Sequence, residues 1–186
     1  MSDLDEDSLQ HQLARLHARI DARVAALTAI HGARLECKQG CSGCCLDGLT
    51  VFPVEADRIR SEAPHILKSP PHPEGACAFL DEAGACRIYE QRPYVCRTQG
   101  LPLRWLDEIE GATVELRDIC SLNEGAGKPP IETLDPSECW SLGPTEESLA
   151  ALQQAYGNDG PIRLELRKLF EEPSDSQGAP SENIRS

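Results

Sequence analysis

The sequence is poor in aromatic residues and has no long apolar run. Aromatic residues account for 4% of the 186 positions, whereas 14 Gly and 14 Pro interrupt regular structure. A chain of this length suits one compact domain with a modest core. Because few large apolar side chains must offset the entropy of much irregular backbone, we expect an additional staple to hold the fold together.

Basic residues are also scarce relative to acidic ones. Lys and Arg total 18 against 31 Asp and Glu, which gives a net charge of −13. Binding to a phosphate backbone over a broad surface needs clustered positive charge, which this composition does not supply. The sequence therefore predicts no nucleic-acid partner.

A targeting signal is missing as well. The first residues, Met1 to Ser8, are acidic where a signal peptide is basic, and no apolar stretch follows that could form its hydrophobic region or a membrane span. We therefore expect a cytoplasmic protein without membrane association.

The sequence is, in contrast, rich in cysteine, with nine residues. A reducing compartment keeps thiols free, and an odd number leaves at least one thiol unpaired even in an oxidised chain. A disulfide scaffold is therefore not expected, which leaves metal ligation or redox chemistry.

The sequence predicts the α+β fold class. The expected fold is a small, loop-rich domain stabilised by a metal, with a long N-terminal helix and short C-terminal helices. Apolar residues recur every three or four positions from about Leu4 to His31, as in an amphipathic helix. This helix packs on its own domain or, alternatively, binds a protein partner. The pattern then predicts a strand at Leu49 to Phe52, a helix from Pro53 to Arg60, and a hairpin of residues 101–109 and 112–119.

The C-terminal part of the chain reads as helices followed by a tail. Thr145 to Tyr156 has the pattern of a helix ending at Gly157, and Pro161 to Phe170 places its apolar residues on one helical face. From Pro173 onward the composition is typical of disorder. We expect four segments: an N-terminal helix at 1–35, a cysteine-cluster domain at 36–143, a helical segment at 144–172 and a tail at 173–186.

The cysteines form two dense groups and two outliers. The first group lies at Cys37 to Cys45, the second at Cys77 to Cys96, and the outliers are Cys120 and Cys139. Thiolates suit zinc or iron–sulfur clusters, and a two-residue spacer such as Cys41-Ser-Gly-Cys44 lets both sulfurs reach one metal. The spacing therefore predicts a thiolate-bound metal centre.

The adjacent pair Cys44-Cys45 bears on the number of metals. Neighbouring side chains diverge from an extended backbone, so two consecutive thiolates do not easily meet one tetrahedral ion. The pair therefore favours a polynuclear centre, or two nearby sites, over a single zinc ion.

The cysteine pattern resembles a known family. The runs C-x3-C-x2-C-C from Cys37 and C-R-I-Y-E-x-R-P-x-x-C-R from Cys86 are similar to those of the YkgJ-type CxxCxxCC cysteine-cluster family, although the first spacer here has three residues instead of two. The resemblance, over about residues 37 to 125, implies a zinc- or iron-chelating domain, some members of which are linked to iron–sulfur chemistry or to flagellin lysine N-methylation. The metal ligands predicted from the spacing and the resemblance are Cys37, Cys41, Cys44, Cys45, Cys77, Cys86, Cys96 and Cys120. Cys139 is left as either a ligand or a buried thiol.

Two arginines flank Cys96 and are predicted to bind the cofactor. The guanidinium groups of Arg92 and Arg97 would reduce the negative charge of a thiolate centre and donate hydrogen bonds to sulfur. The alternative for Arg92 is a bond to a carbonyl or to a carboxylate such as Glu90. Tyr89 and Phe79 are expected to be core residues that shield the centre from water.

These observations predict a metal-binding protein. Its cofactor is expected to be an iron–sulfur cluster, with zinc or iron ions as the alternative, acting in electron transfer, metal handling or cluster-dependent chemistry. The other function classes are a zinc-stabilised interaction module and a cluster-dependent oxidoreductase or methyltransferase-like enzyme. The sequence contains no dinucleotide fingerprint, so an enzyme would need to assemble its substrate site around the metal. Whether the protein is an enzyme stays open, and no catalytic residue is assigned.

Overall fold

The computed structural model describes residues 3–38, 40–125, 127–157 and 163–171, with side chains from residue 8 onward. The helices are α1 (Asp3–His31), α2 (Pro53–Glu62), α3 (Pro64–Leu67), α4 (Tyr94–Arg97) and α5 (Leu142–Tyr156). The strands are β1 (Thr50–Val51), β2 (Leu103–Ile109), β3 (Ala112–Asp118), β4 (Trp140–Ser141) and β5 (Leu164–Glu165). The predicted α+β class with a long N-terminal helix is confirmed.

The helix α1 forms one side of the first core cluster. Its apolar residues at helical spacing turn one face onto α5 and onto the segments that carry Tyr94 and Trp140. This helical cluster consists of Leu13, Leu16, Ile20, Leu27, Phe52, Val54, Tyr94, Leu101, Trp140 and Leu149. The apolar face of α1 is therefore buried within its own chain, and partner binding by this helix, through its outer face, stays a prediction.

A second core cluster lies on the side of the cysteines. This thiol-side cluster consists of Val51, Ala56, Ile59, Ala63, Cys77, Phe79, Leu80, Ile88, Leu166 and Leu169. Cys45, Cys86 and Phe170 pack against it. The helix α2 joins the two clusters, since Val54 belongs to the helical cluster and Ile59 to the thiol-side cluster.

Two small sheets complete the fold. β1 pairs with β5 in antiparallel orientation, and the second sheet has the order β3-β2-β4. β2 and β3 form the predicted hairpin, in which Ile109 pairs with Ala112 around Glu110 and Gly111. Glu110 has φ 52° and Gly111 has φ 81°, as the two central residues of a type I′ turn require.

The C-terminal predictions have a mixed outcome. α5 begins three residues before Thr145 and ends at Gly157, whose φ of 98° gives the predicted left-handed cap. The helix predicted for Pro161 to Phe170 is wrong in its first described part, because Leu164 pairs with Val51 in a strand and residues 166–170 form a 3₁₀ helix. Residues 158–162 and 172–186, with the predicted tail, lie outside the described residues.

Within the described part of the chain, no helix combines the length and the apolar character that a membrane crossing requires.

Candidate metal centre

The first cysteine group lies in a loop of tight turns. The N–H of Cys41 donates to the carbonyl of Lys38, and the N–H of Cys45 donates to the carbonyl of Ser42. The second turn brings the side chains of Cys44 and Cys45 into hydrogen-bond contact. The expectation that these neighbours diverge is therefore wrong, because it assumed an extended backbone, and the geometric argument against a single shared ion no longer holds.

The contact between these two thiols makes them electrostatically unequal. The hydrogen bond from the Cys45 thiol, with a smaller contribution from the positive charge of Arg92, lowers the pKa of Cys44 from 9.0 to about 6. The same hydrogen bond, together with burial, raises the pKa of Cys45. The pair therefore presents one ionised and one neutral sulfur near neutral pH.

Four cysteines from three separate segments are close enough for their charges to act on one another. We call them the inner thiols: Cys45, Cys77, Cys86 and Cys96. The segments are tied together by backbone hydrogen bonds, since the N–H of Cys77 donates to the carbonyl of Cys45 at 2.9 Å. Leu80 and Cys86 form an isolated β-bridge, and Cys96 lies on α4. Remote parts of the sequence are thus brought to one place.

Burial and mutual repulsion keep the inner thiols neutral. Loss of solvent raises the pKa of Cys77 and Cys86. Loss of solvent, with a smaller contribution from negative charge on Cys77 and Cys86, raises the pKa of Cys96 to about 12. A set of buried groups that oppose each other's ionisation is favourable only when a cation compensates their charges.

The inner thiols are close enough to interact, but they do not form a complete coordination sphere. In residues 3–38, 40–125, 127–157 and 163–171, no group of three or more His, Cys, Asp or Glu side chains is arranged to hold one metal ion. The chemistry of the donor set nonetheless fits a thiophilic metal, because four soft ligands beside an apolar cluster suit zinc, iron or an iron–sulfur cluster.

The two predicted cofactor-binding arginines have different surroundings. Arg97 is buried, donates to both carboxylate oxygens of Asp21 on α1, at 2.6 and 2.9 Å, and donates to the carbonyls of Glu90 and Arg92. Its guanidinium group therefore ties α4 to α1. Arg92 lies over the Tyr89 ring, and its charge lowers the pKa of Cys44, Cys86 and Cys96. Of the two, Arg92 is the one whose charge acts on several thiols.

Two further predicted ligands, Cys37 and Cys120, lie near Gly100. Cys37 is exposed, and its sulfur accepts a hydrogen bond from the buried Asn123 side chain at 3.5 Å. Gly100, with φ 89°, packs on this sulfur so closely that a Cβ atom there would lie 2.5 Å from it. Cys120 lines, together with Cys44 and Gly100, a surface depression of about 250 Å³.

Cys139 is buried at a different place. The charged groups that act on its thiol are Arg117, Glu115, Arg104 and Glu138, and none of them is a cysteine. This is the environment of a structural thiol in the core.

Several residues around the centre were misjudged or missed from the sequence. Glu55, in the predicted helix from Pro53 to Arg60, is 3% exposed and accepts hydrogen bonds from the Tyr94 N–H at 2.7 Å and from His17 at 3.3 Å. Tyr89, predicted to shield the centre, is 57% exposed, whereas Phe79 is buried as expected. The contact of Glu55 with a histidine on α1 has no local signature, because these residues lie 38 positions apart in the sequence.

Arg167 is a further residue that the sequence did not single out. Its guanidinium group binds Asp47 at 2.8 Å and also donates to the carbonyls of His72 and Ala76. Through these bonds Arg167, in the C-terminal segment, holds the loop that precedes Cys77 in place.

Comparison with known proteins finds one matching family model. No curated protein and no solved structure matches the chain significantly. Residues 36–121 match a family model named CxxCxxCC, described as "Putative zinc- or iron-chelating domain". The match contains every predicted ligand from Cys37 to Cys120 and leaves out Cys139, which confirms the resemblance seen in the sequence. This chain is therefore similar to the CxxCxxCC family over residues 36–121.

Proposed function

We propose that the protein holds an iron–sulfur cluster on its inner thiols. The observation that carries the proposal is the arrangement of Cys45, Cys77, Cys86 and Cys96, whose charges act on one another although the residues come from three segments. Four thiolates are the usual ligand number for such clusters. A bound cluster supplies one-electron transfer at a potential that the surrounding protein adjusts.

The residues around the inner thiols suit this role. Phe79 and Leu169 belong to the same apolar cluster as Cys77, so they limit the access of water to the sulfurs. Arg92 provides a nearby positive charge that favours the ionised thiols. Cys44 adds a fifth thiol beside the four, which is more than one tetrahedral zinc ion requires.

Between electron transfer and metal handling, the surface depression favours the handling of metal. Cys44 has a lowered pKa and lines the depression together with Cys120, so an ionised sulfur lies between solvent and the inner thiols. An entering metal ion would meet this sulfur first. Nine free thiols also suit a reducing compartment, which supports a cytoplasmic location.

A zinc ion that stabilises the fold is the second candidate. It is favoured by residues 68–93, which connect α3 to α4 without a helix or a strand longer than an isolated bridge. A metal that cross-links such a segment contributes directly to its folding.

Elemental analysis and an absorption spectrum of protein purified without oxygen distinguish the two candidates. An iron–sulfur cluster predicts iron and acid-labile sulfide in stoichiometric amounts, with an absorption band near ~400 nm. Colourless protein with one equivalent of zinc would reject the cluster and support the stabilising ion. Protein that contains neither metal after anaerobic purification and reconstitution would contradict both.

A further inference from the structure

The hairpin of β2 and β3 extends from the body of the protein as an arm. β4 pairs with β2 only at Leu103 and Arg104, so the rest of this edge has no neighbouring strand in the part of the chain that the structure describes. β3 is the outer strand of its sheet over its whole length. Natural proteins usually protect such edges, because unpaired backbone groups bind further strands.

One face of this arm carries four apolar residues around Asp107. Residues that pair directly in an antiparallel ladder lie on the same face, and the register places Trp105 with Leu116, Asp107 with Val114, and Ile109 with Ala112. We call Trp105, Ile109, Val114 and Leu116 the apolar stripe. Ile109 is 44% exposed and Val114 is 37% exposed, and Trp105 and Leu116 are outside both core clusters. Exposed apolar residues that adjoin one another are typical of a binding surface.

The charges on the arm indicate which kind of partner it binds. Asp107, Glu108 and Glu110 lie at its tip, and none of the three forms an ion pair within the described residues. Glu115, by contrast, is already paired with Arg104 and Arg117. A second copy of this chain also has a net charge of −13, so it would add negative charge beside these residues. A basic partner would instead neutralise them.

The base of the arm leads to the depression beside the thiols. Leu103 and Asp118 are paired on the same face as the apolar stripe, and both line the depression that contains Cys44 and Cys120. A segment bound along the arm would therefore end next to Cys44.

We propose that the edge of β3 binds an extended, basic segment of a partner protein by strand addition. In a hairpin closed by a two-residue turn, Ile109 and Ala112 form the hydrogen-bonded pair, so Thr113 and Glu115 direct their backbone groups outward. These groups bind the partner backbone, the apolar stripe receives alternate apolar side chains, and the acidic tip receives Lys or Arg. The proposal rests on the arm alone and does not depend on which metal the thiols hold.

A synthetic eight-residue peptide of alternating Lys and Val, labelled with fluorescein, tests the proposal by fluorescence anisotropy against the metal-loaded full chain. We expect saturable binding that weakens as salt increases, because charge contributes to it. A peptide of alternating Glu and Val, with the same β-propensity pattern and the opposite charge, should not bind. Equal binding of the two peptides, or no binding of the basic one, would overturn the proposal.

A matched pair of variants tests the role of the backbone. Thr113→Pro removes the outward N–H and should weaken binding of the Lys-Val peptide by at least about tenfold, whereas Thr113→Val keeps the N–H and should bind like the unaltered chain. Metal content and the circular dichroism spectrum identify variants that have lost the fold, and Glu115→Pro provides a second test of the same edge. Equal affinity of the proline and valine variants, or dimerisation through β3 in place of peptide binding, would contradict strand addition to this edge by a basic partner.

Discussion

The two core clusters of this protein are built in different ways. The helical cluster joins α1 and α5, whose apolar residues recur at helical spacing, so its packing follows from local sequence. The thiol-side cluster joins short segments, and three of the residues in or against it are Cys45, Cys77 and Cys86. We therefore expect burial alone to stabilise the first region, whereas the stability of the second should depend on the metal that its sulfurs are proposed to bind.

Removal of the metal should produce the largest effect, and it should destabilise the thiol side alone. A strong chelator is expected to remove protection from hydrogen exchange at Cys77, whose N–H bonds Cys45, while α1 and α5 keep theirs. The loss on the thiol side should amount to several kcal/mol, up to about 10 kcal/mol, since metal binding contributes directly to the folding of such segments. Equal loss of protection in both regions, or none in either, would contradict the distinction between them.

The complementary change is Leu13→Ala in the helical cluster. Leu13 is fully buried, so the truncation should lower the free energy of unfolding by about 2–5 kcal/mol. Because Leu13 lies in the other cluster, metal content should stay unchanged. Chemical denaturation together with elemental analysis measures both quantities, and a loss of metal in proportion to stability would show that the two regions are not independent.

Acid should weaken metal binding on the thiol side only. Burial raises the pKa of Cys77, Cys86 and Cys96, the last to about 12, so a metal must displace protons that these thiols hold at neutral pH. Affinity measured by competition with a chelator should therefore fall between about pH 8 and pH 6, by about tenfold per pH unit for each proton released.

The metal-free protein should show the opposite sign. Since the pKa of Cys96 is raised above its ordinary value of 9.0, the contribution of its neutral form is fully present below that value and is lost as the pH rises toward about 12. Stability that is insensitive to alkali in the metal-free protein, or affinity that is insensitive to acid, would show that these thiols are not buried as described.

The smallest expected effect concerns the hairpin, which belongs to neither cluster. Glu110 has φ 52°, a conformation that Asn and Gly adopt more readily than Glu. Glu110→Asn should therefore raise the free energy of unfolding by about 0.5–1 kcal/mol, measured by thermal or chemical denaturation. A matched Glu108→Asn change lies in the strand and should not stabilise the protein; equal effects of the two changes would point to charge instead of backbone conformation.

The same contrast decides how much could be predicted from the sequence. α1 and the hairpin have local signals, the spacing from Leu9 to Leu27 and the Glu110-Gly111 turn, and both predictions are confirmed. The family resemblance followed from the cysteine spacing and is confirmed as well. These features depend on residues that are near one another in the chain.

The errors arose where distant residues or a local turn decide the outcome. The turn at Ser42 brings Cys44 and Cys45 together, and the pairing of β5 with β1 replaces the beginning of a predicted helix. Glu55 is buried because His17 and the Tyr94 N–H approach it from other segments. None of these contacts has a signature at fixed spacing, so composition and periodicity could not reveal them.

The central claim is that the inner thiols, and not Cys139, hold the metal. The most direct measurement is the metal content of Cys96→Ser and Cys139→Ser, each purified without oxygen beside the unaltered chain, with circular dichroism to verify that the helices remain folded. We expect Cys96→Ser to lose most of its metal, whereas Cys139→Ser should retain all of it. Full metal content in Cys96→Ser, with or without a loss in Cys139→Ser, would contradict it.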